Sequence, residues 1–276
     1  MGKFFANVAA GVLKRVSSKA KDNAAGLSWW KIKYLKHLPY NRPGVYDLKG
    51  LKIHYKNGPE ILHSLKEIFV DEIYNIDFTT KDPFIIDCGS NIGLAIIYLK
   101  SRYPAAKIIA FEPDKSNFEL LQKNVLHNSW SNIDLHNKAI WKEDGILSFK
   151  TEGTLGSKIE EGSTDENIQK VTAVRLKNLL TRKVDFLKID IEGAEYEVLK
   201  DCADSLFNVT HLFIEFHGYF DKMFQLTEIF EIVKKNGFAF YIKEADAVYK
   251  TPFSRSEKKV NYDLQLNIFC FRVQPQ

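Results

Sequence analysis

Six polar residues stand where polar residues are costly. Asp87, Glu112, Asp190, Glu192, Glu215 and His217 lie within or directly after apolar runs. A charge in such a setting is expensive unless it has a partner, so each needs one or has a purpose. Carboxylates and imidazole are the groups that move protons and that hold hard cations. Asp190 and Glu192 make an Asp-x-Glu pair, and Glu215 and His217 a Glu-x-His pair. Together they could take a proton from a poor nucleophile, or supply ligands to Mg²⁺ or Mn²⁺. The plain alternative for any one of them is a helix cap or an ion pair. Glu192, followed by Gly193 and a helix, suits capping, and Lys188 suits pairing with one of the acids.

Strand ends must position these groups. Residues 84–112 read FIIDCGSNIGLAIIYLKSRYPAAKIIAFE. A short apolar run enters a glycine turn, and a helix follows with Ile92, Ala95, Ile96 and Leu99 at helical spacing. Pro104 breaks it, and a second apolar run, Ile108 to Phe111, ends on Glu112. That is a βαβ unit with a nucleotide-type ligand site at its first turn. A dinucleotide turn reads G-x-G-x-x-G and seats a pyrophosphate on the helix N-terminus. Here Asp87-x-Gly89-x-x-x-Gly93 lacks the second glycine, and Asp87 would place negative charge beside a phosphate. The turn suits a ligand with a cationic amino-acid portion, while Glu112 can accept hydrogen bonds from ribose hydroxyls. S-adenosylmethionine combines these features. Asp87, Gly89, Ser90, Asn91 and Gly93 are assigned to its amino-acid end, Glu112 and Pro113 to the ribose, and Asn137 to Ala139 to the adenine. Gly156 and Ser157 could close over it from a polar loop.

The remaining pattern alternates helix and strand. Leu27 to Leu38 predicts a helix with Trp30, Tyr34 and Leu38 on one face, and residues 43–57 a hairpin. Pro59 opens a helix carrying Ile61, Leu62, Leu65, Ile68, Phe69 and Ile73. Ser116 and Glu119 fit a capping box. Further strands are expected at Ile133–Ile140, Val184–Ile191, His211–Phe216, Phe238–Ile242 and Leu266–Val273, with helices after Gly193 and over Phe220–Asn236. The latter helix should turn Met223, Phe224, Phe230 and Val233 to one side. Residues 141–170 read as a polar lid or substrate loop with a short strand at Ile146–Phe149, and Leu176–Leu180 as a short helix. The expected fold is α/β: a Rossmann-like doubly wound, seven-stranded, mostly parallel sheet with one antiparallel strand, plus an N-terminal helical and hairpin extension. Residues 1–58 are read as the basic extension and 59–276 as the main domain.

Charge and composition narrow the partners. The net charge is only +4, yet the first 42 residues hold nine basic residues against Asp22 alone. That arm could meet acidic lipid, an anionic glycan or nucleic acid, or be a solvated helix. Cys88, Cys202 and Cys270 have neither zinc nor redox spacing and read as reduced structural thiols of a cytoplasmic protein. No apolar run is long enough to span a bilayer, and Phe4 to Leu13 suits a surface helix better than a signal peptide. A peripheral membrane contact through the basic N-terminus and a homodimer are both compatible with this chain.

The motifs resemble those of the FkbM family of class I S-adenosylmethionine-dependent methyltransferases. The resemblance rests on EIFVDEIY (Glu67–Tyr74), IDCGSNIG (Ile86–Gly93), FEP (Phe111–Pro113), LKIDIEGAE (Leu187–Glu195) and IEFH (Ile214–His217). It covers roughly residues 60–220. One departure is that Arg175-Leu176-Lys177-Asn178-Leu179 stands where family members often carry an acidic segment. The resemblance implies methyl transfer to a hydroxyl oxygen of a sugar, glycan or other small molecule. The catalytic set is then His217, Asp190, Glu215 and Glu192. His217 is the first choice of base because a neutral imidazole titrates near the operating pH. Asp190 orients the acceptor or is itself the base. The same four side chains are the candidate ligands in a competing metal-assisted account. Two alternatives remain, a nucleic-acid methyltransferase and a non-catalytic S-adenosylmethionine-binding protein. Against the first, Asp190-Ile191-Glu192-Gly193 replaces the Pro-Pro motif of amine methylation, and an acidic site edge repels phosphate.

Overall fold

The computed structural model describes residues 26–39, 42–150, 168–245, 247–255 and 261–273. The surface helix at Phe4–Leu13 and the loop residues Gly156 and Ser157 lie outside the described residues. Two compact units are present.

The first unit takes in the N-terminal residues to Asp77, Ile92–Pro104 and Glu119–Trp130. It begins with helix α1 (Trp29–Lys36), capped by the Ser28 hydroxyl, which accepts from the Lys31 N–H. Leu35 is the buried residue of α1, whereas Trp30 and Tyr34 are exposed. The three residues expected on one face are therefore divided: Leu38 is buried with Leu27 and Leu35, while Trp30 and Tyr34 are not. Strands β1 (Gly44–Leu48) and β2 (Leu51–Tyr55) form the expected hairpin. Helix α2 (Gly58–Leu65) starts from an Asn57 cap and gives way to a wider turn over Lys66–Val70, so it is shorter than the apolar spacing suggested. Helix α3 (Leu94–Arg102) follows the glycine turn.

The second unit holds the sheet. Its strands are β3 (Phe84–Cys88), β4 (Lys107–Phe111), β5 (Ile133–His136), β9 (Val184–Ile189), β10 (Val209–Gly218), β11 (Phe238–Glu244) and β12 (Leu264–Arg272). They lie in the order β11-β12-β10-β9-β3-β4-β5. Pairing is parallel from β10 through β5, and β12 alone runs against its two neighbours. The chain thus starts in the middle at β3, steps outward to β5, and returns to β9 on the other side. Ligands of such sheets sit where that order reverses, outside the carboxyl ends of the strands. All six residues of β9 are buried, as a central strand covered on both faces requires. Helix α5 (Glu195–Cys202) packs on β10, and helix α6 (Phe224–Lys235) on β10 and β11. Val198, Cys202 and Leu206 join the core with Ile189, Ile214 and Ile229.

Three local expectations are corrected. Ile133–Ile140 is not one strand: β5 ends at His136, and β6 (Ala139–Trp141) belongs to a separate three-stranded sheet. Its partners are β7 (Gly145–Lys150), which contains the strand expected at Ile146–Phe149, and β8 (Ile168–Arg175), along which Val171 and Ala173 alternate inward while Thr172 does not; residues 151–167 of the expected lid lie outside the described residues. Helix α4 (Lys115–His127) is capped by Asp114, whose carboxylate accepts from the Asn117 N–H, rather than by a Ser116–Glu119 box. Phe220–Asn236 divides into a short turn and α6, which exposes Met223 and Phe224 and buries Leu226, Ile229 and Val233. The three cysteines are free and buried, and burial pushes the Cys202 and Cys270 thiols up to about 12.

Candidate active site

The turn after β3 is shaped by a close approach. Gly89 has φ 82°, and a Cβ there would lie 1.7 Å from the Asp190 carbonyl oxygen. Only glycine fits. The Gly89 and Ser90 N–H groups both donate to the Phe111 carbonyl, at 3.0 and 2.9 Å, and the Ser90 hydroxyl donates to the Asp87 carbonyl. Asn91 takes a left-handed φ of 49°, and Gly93, which belongs to the first unit, one of 88°.

Asp87 is buried at the carboxyl end of β3. Lys188 Nζ lies 3.3 Å from Asp87 Oδ1. Among the described residues, neither Asp87 carboxylate oxygen accepts a hydrogen bond. Buried acceptors of this kind are rare, and they fit a site that awaits donors. Lys188, also buried, donates to the Gly89 carbonyl at 2.8 Å and to Asp190 Oδ2 at 3.0 Å. One ammonium therefore ties the exit of β3 to the exit of β9, and the pairing reading of Lys188 holds.

Glu112 is buried after β4. Its Oε2 accepts from the Asn91 N–H and its Oε1 from the Asp114 N–H, at 2.8 and 2.9 Å. Burial pushes its carboxyl up to about 7 against the pull of those two bonds. Both oxygens retain a lone pair for a further donor. Asn137, just after β5, donates to the Glu112 and Pro113 carbonyls at 2.8 and 3.0 Å, fastening the turn that follows β4. Ala139 is buried in β6 against Val171, in the second sheet rather than at the end of β5.

The other four residues converge across β9 and β10, which are neighbours as expected. His217 is buried, with Nδ1 3.0 Å from Glu195 Oε1 and Nε2 facing Glu215 at 3.7 Å and Glu192 at 3.8 Å. Burial alone would lower its pKa, but the adjoining charges of Glu195, Glu192 and Asp190 outweigh that and hold it up at about 10. These carboxylates favour the imidazolium, against the neutral imidazole expected of a His217 base.

Two residues complete the cluster that local reading left out. Glu195 is buried at the start of α5 and accepts from the Ile191 and Gly193 N–H groups, each at 3.1 Å. It fastens the turn that leads into α5, whose N-cap, Ala194, supplies no side-chain hydrogen bond, so the capping expected of Glu192 is not found. A glutamate in the first turn after Gly193 was the available signal. Tyr262, 70 positions from Glu192, donates to the Glu192 carbonyl at 3.0 Å and stands 3.1 Å from its Oε2. Its ring packs 4.7 Å from that of His217. No local signal marks it. Glu192 itself has φ 56° and a half-exposed side chain, and its carboxyl is raised by desolvation against the opposing charge of His217. Asp190, Glu192 and His217 can each bring one ligand atom within 4.8 Å of the others, so the set could hold a cation.

The family described as the methyltransferase FkbM domain matches residues 87–240. Methyltransferase 1 of Beauveria bassiana is 32% identical over 170 residues, covering 52% of this chain and 68% of that protein. The hexuronic acid methyltransferase AglP of Haloferax volcanii is 27% identical over 144 residues, covering 51% and 59%. The 31-O-demethyl-FK506 methyltransferase FkbM of Streptomyces tacrolimicus is 24% identical over 240 residues, covering 72% and 90%.

Proposed function

The chain belongs to the FkbM methyltransferase family, and from that premise we propose that it methylates a hydroxyl oxygen of a sugar, glycan or other small molecule. The cofactor is S-adenosylmethionine, which when bound supplies a methyl already activated on a sulfonium. The observation that carries the reading is Asp87: a buried carboxylate that accepts no hydrogen bond among the described residues, with Lys188 on one side and a glycine pressed to the next strand on the other, fits an amino-acid ammonium. Glu112 offers its remaining lone pairs to ribose hydroxyls. Relatives named for a hexuronic acid and for a 31-O-demethyl compound support a hydroxyl acceptor.

An alkyl hydroxyl is a poor nucleophile, so the protein must align it and receive its proton. Glu192 suits the second task. It is half-exposed, its carboxyl is raised, and Tyr262 and the His217 imidazolium hold its position and charge. Asp190, fixed by Lys188, orients the acceptor. Glu195 keeps His217 charged and in place, a positioning role. Glu192→Gln should lower turnover by about 10²-fold or more, within the range for general bases, while calorimetry shows unchanged S-adenosylmethionine affinity. Full turnover would move the base elsewhere, and absence of any S-adenosylmethionine binding by wild type would sink the whole reading.

One observation favours a second reading, the convergence of Asp190, Glu192 and His217 within 4.8 Å. A carboxylate on Nδ1 that turns Nε2 toward further carboxylates, here Glu192 and Glu215, is how metal-binding histidines are commonly oriented. A bound Mg²⁺ or Mn²⁺ would lower the hydroxyl pKa directly. Lys188 on Asp190 competes with it for that carboxylate. Turnover that survives exhaustive chelation discards this reading.

A further inference from the structure

The outward face of α1 is the reverse of an ordinary surface helix, which turns large apolar groups inward. Trp29, Trp30 and Tyr34 are 56%, 74% and 59% exposed. Leu35 is the side chain that anchors the helix. Lys31, Lys33 and Lys36 interleave with the aromatics, and α1 contains no acid. The two indoles meet edge to face at 4.4 Å, and Lys33 Nζ lies 4.1 Å from the Trp29 ring centroid. Three large exposed rings and three lysines on one eight-residue helix form a patch and not a scatter of single residues.

We propose that this face docks on an anionic lipid surface. Indole and phenol rings settle at the headgroup level, with an apolar body toward the acyl chains and a polar edge in water. Lysines between them attract acidic headgroups while laying their methylene stems along the same boundary. An eight-residue helix is about 12 Å long, so α1 lies in the interface plane, and no described helix is long and apolar enough to cross a membrane. The preceding sequence adds charge of the same sign, with Lys3, Lys14, Arg15, Lys19 and Lys21 against Asp22. A single-stranded nucleic acid fits less well. Base stacking needs an open ring face, and on Trp29 the Lys33 ammonium occupies one.

The test uses the full chain and vesicles of phosphatidylcholine with or without phosphatidylserine. Co-sedimentation should favour the anionic vesicles by at least about tenfold, with a blue shift of tryptophan emission. Raising salt to about 1 M, where the Debye length is about 3 Å, should release the protein. The combined Trp29→Ala, Trp30→Ala and Tyr34→Ala variant should keep its circular dichroism and its S-adenosylmethionine binding yet lose the vesicles. Equal partitioning to neutral and anionic vesicles, undiminished binding by that variant, or tighter binding to single-stranded RNA than to vesicles would each overturn the proposal.

Discussion

Glu195 Oε1 stands 3.0 Å from His217 Nδ1, and both side chains are buried. A buried pair of this kind is costly to break, because the survivor is left charged without its partner. Glu195→Gln should lower the His217 pKa and destabilise the fold by about 3 kcal/mol at neutral pH. A carbon-detected titration of the imidazole and thermal unfolding would read both effects. An unmoved His217 pKa would mean that Glu192 and Asp190 suffice.

The same pair gives stability a pH dependence whose sign is defined. His217 is raised from 6.5 to about 10, so between those values the folded state holds a proton that the unfolded chain releases. Its contribution is fully present below pH 6.5 and is lost as pH rises through about 10. Melting temperature should therefore fall from pH 7 to 10 more steeply in wild type than in His217→Gln. Parallel curves would contradict the assignment.

Glu112 tests the donor site. Its carboxyl, raised from 4.5 to about 7, protonates more readily folded than unfolded, so its effect on stability declines as pH climbs through that window. The ionised form is the better acceptor for the Asn91 and Asp114 N–H groups and for a ribose. Cofactor affinity measured by calorimetry should rise as pH passes 7, and Glu112→Ala should weaken it by at least about tenfold, the worth of a charge-assisted hydrogen bond. An unchanged dissociation constant removes Glu112 from the ribose.

Tyr262 tests the acceptor edge. Tyr262→Phe deletes the hydroxyl that holds Glu192 by its backbone carbonyl and its carboxylate. That bond lowers the Glu192 pKa, so its loss should raise it further and move the acidic limb of the kcat profile to higher pH. Turnover should drop by about tenfold, with cofactor affinity unchanged. A variant with the wild-type pH profile would confine Tyr262 to packing.

Gly89→Ala combines a Cβ 1.7 Å from a backbone oxygen with a left-handed φ. Overpacking and the φ penalty together should cost about 2–5 kcal/mol. Differential scanning calorimetry would show the loss, and a wild-type melting temperature would mean that the two strand exits can separate freely.

Much of this molecule could be read in the chain because the signals are local. The glycine turn, the apolar runs of β3, β4, β9 and β10, and the acids at their ends each occupy a few consecutive residues, and a parallel sheet brings such ends to one edge. Of the three-stranded sheet only β7 could be read locally, as the short strand at Ile146–Phe149; β8, where Val171 and Ala173 flank a single outward Thr172, carries too brief an alternation to read by itself. Trp30, Tyr34 and Leu38 share a helical spacing, yet only Leu38 is buried, because spacing shows which residues share a face, not which way that face points. Tertiary structure alone decided the rest. Tyr262 reaches Glu192 from 70 residues away, Lys188 spans 99 to Gly89, and His217 is held charged by carboxylates from three chain positions. A side chain's type is written in the sequence; its charge state and its partner depend on the field and the burial that distant segments create when they pack together.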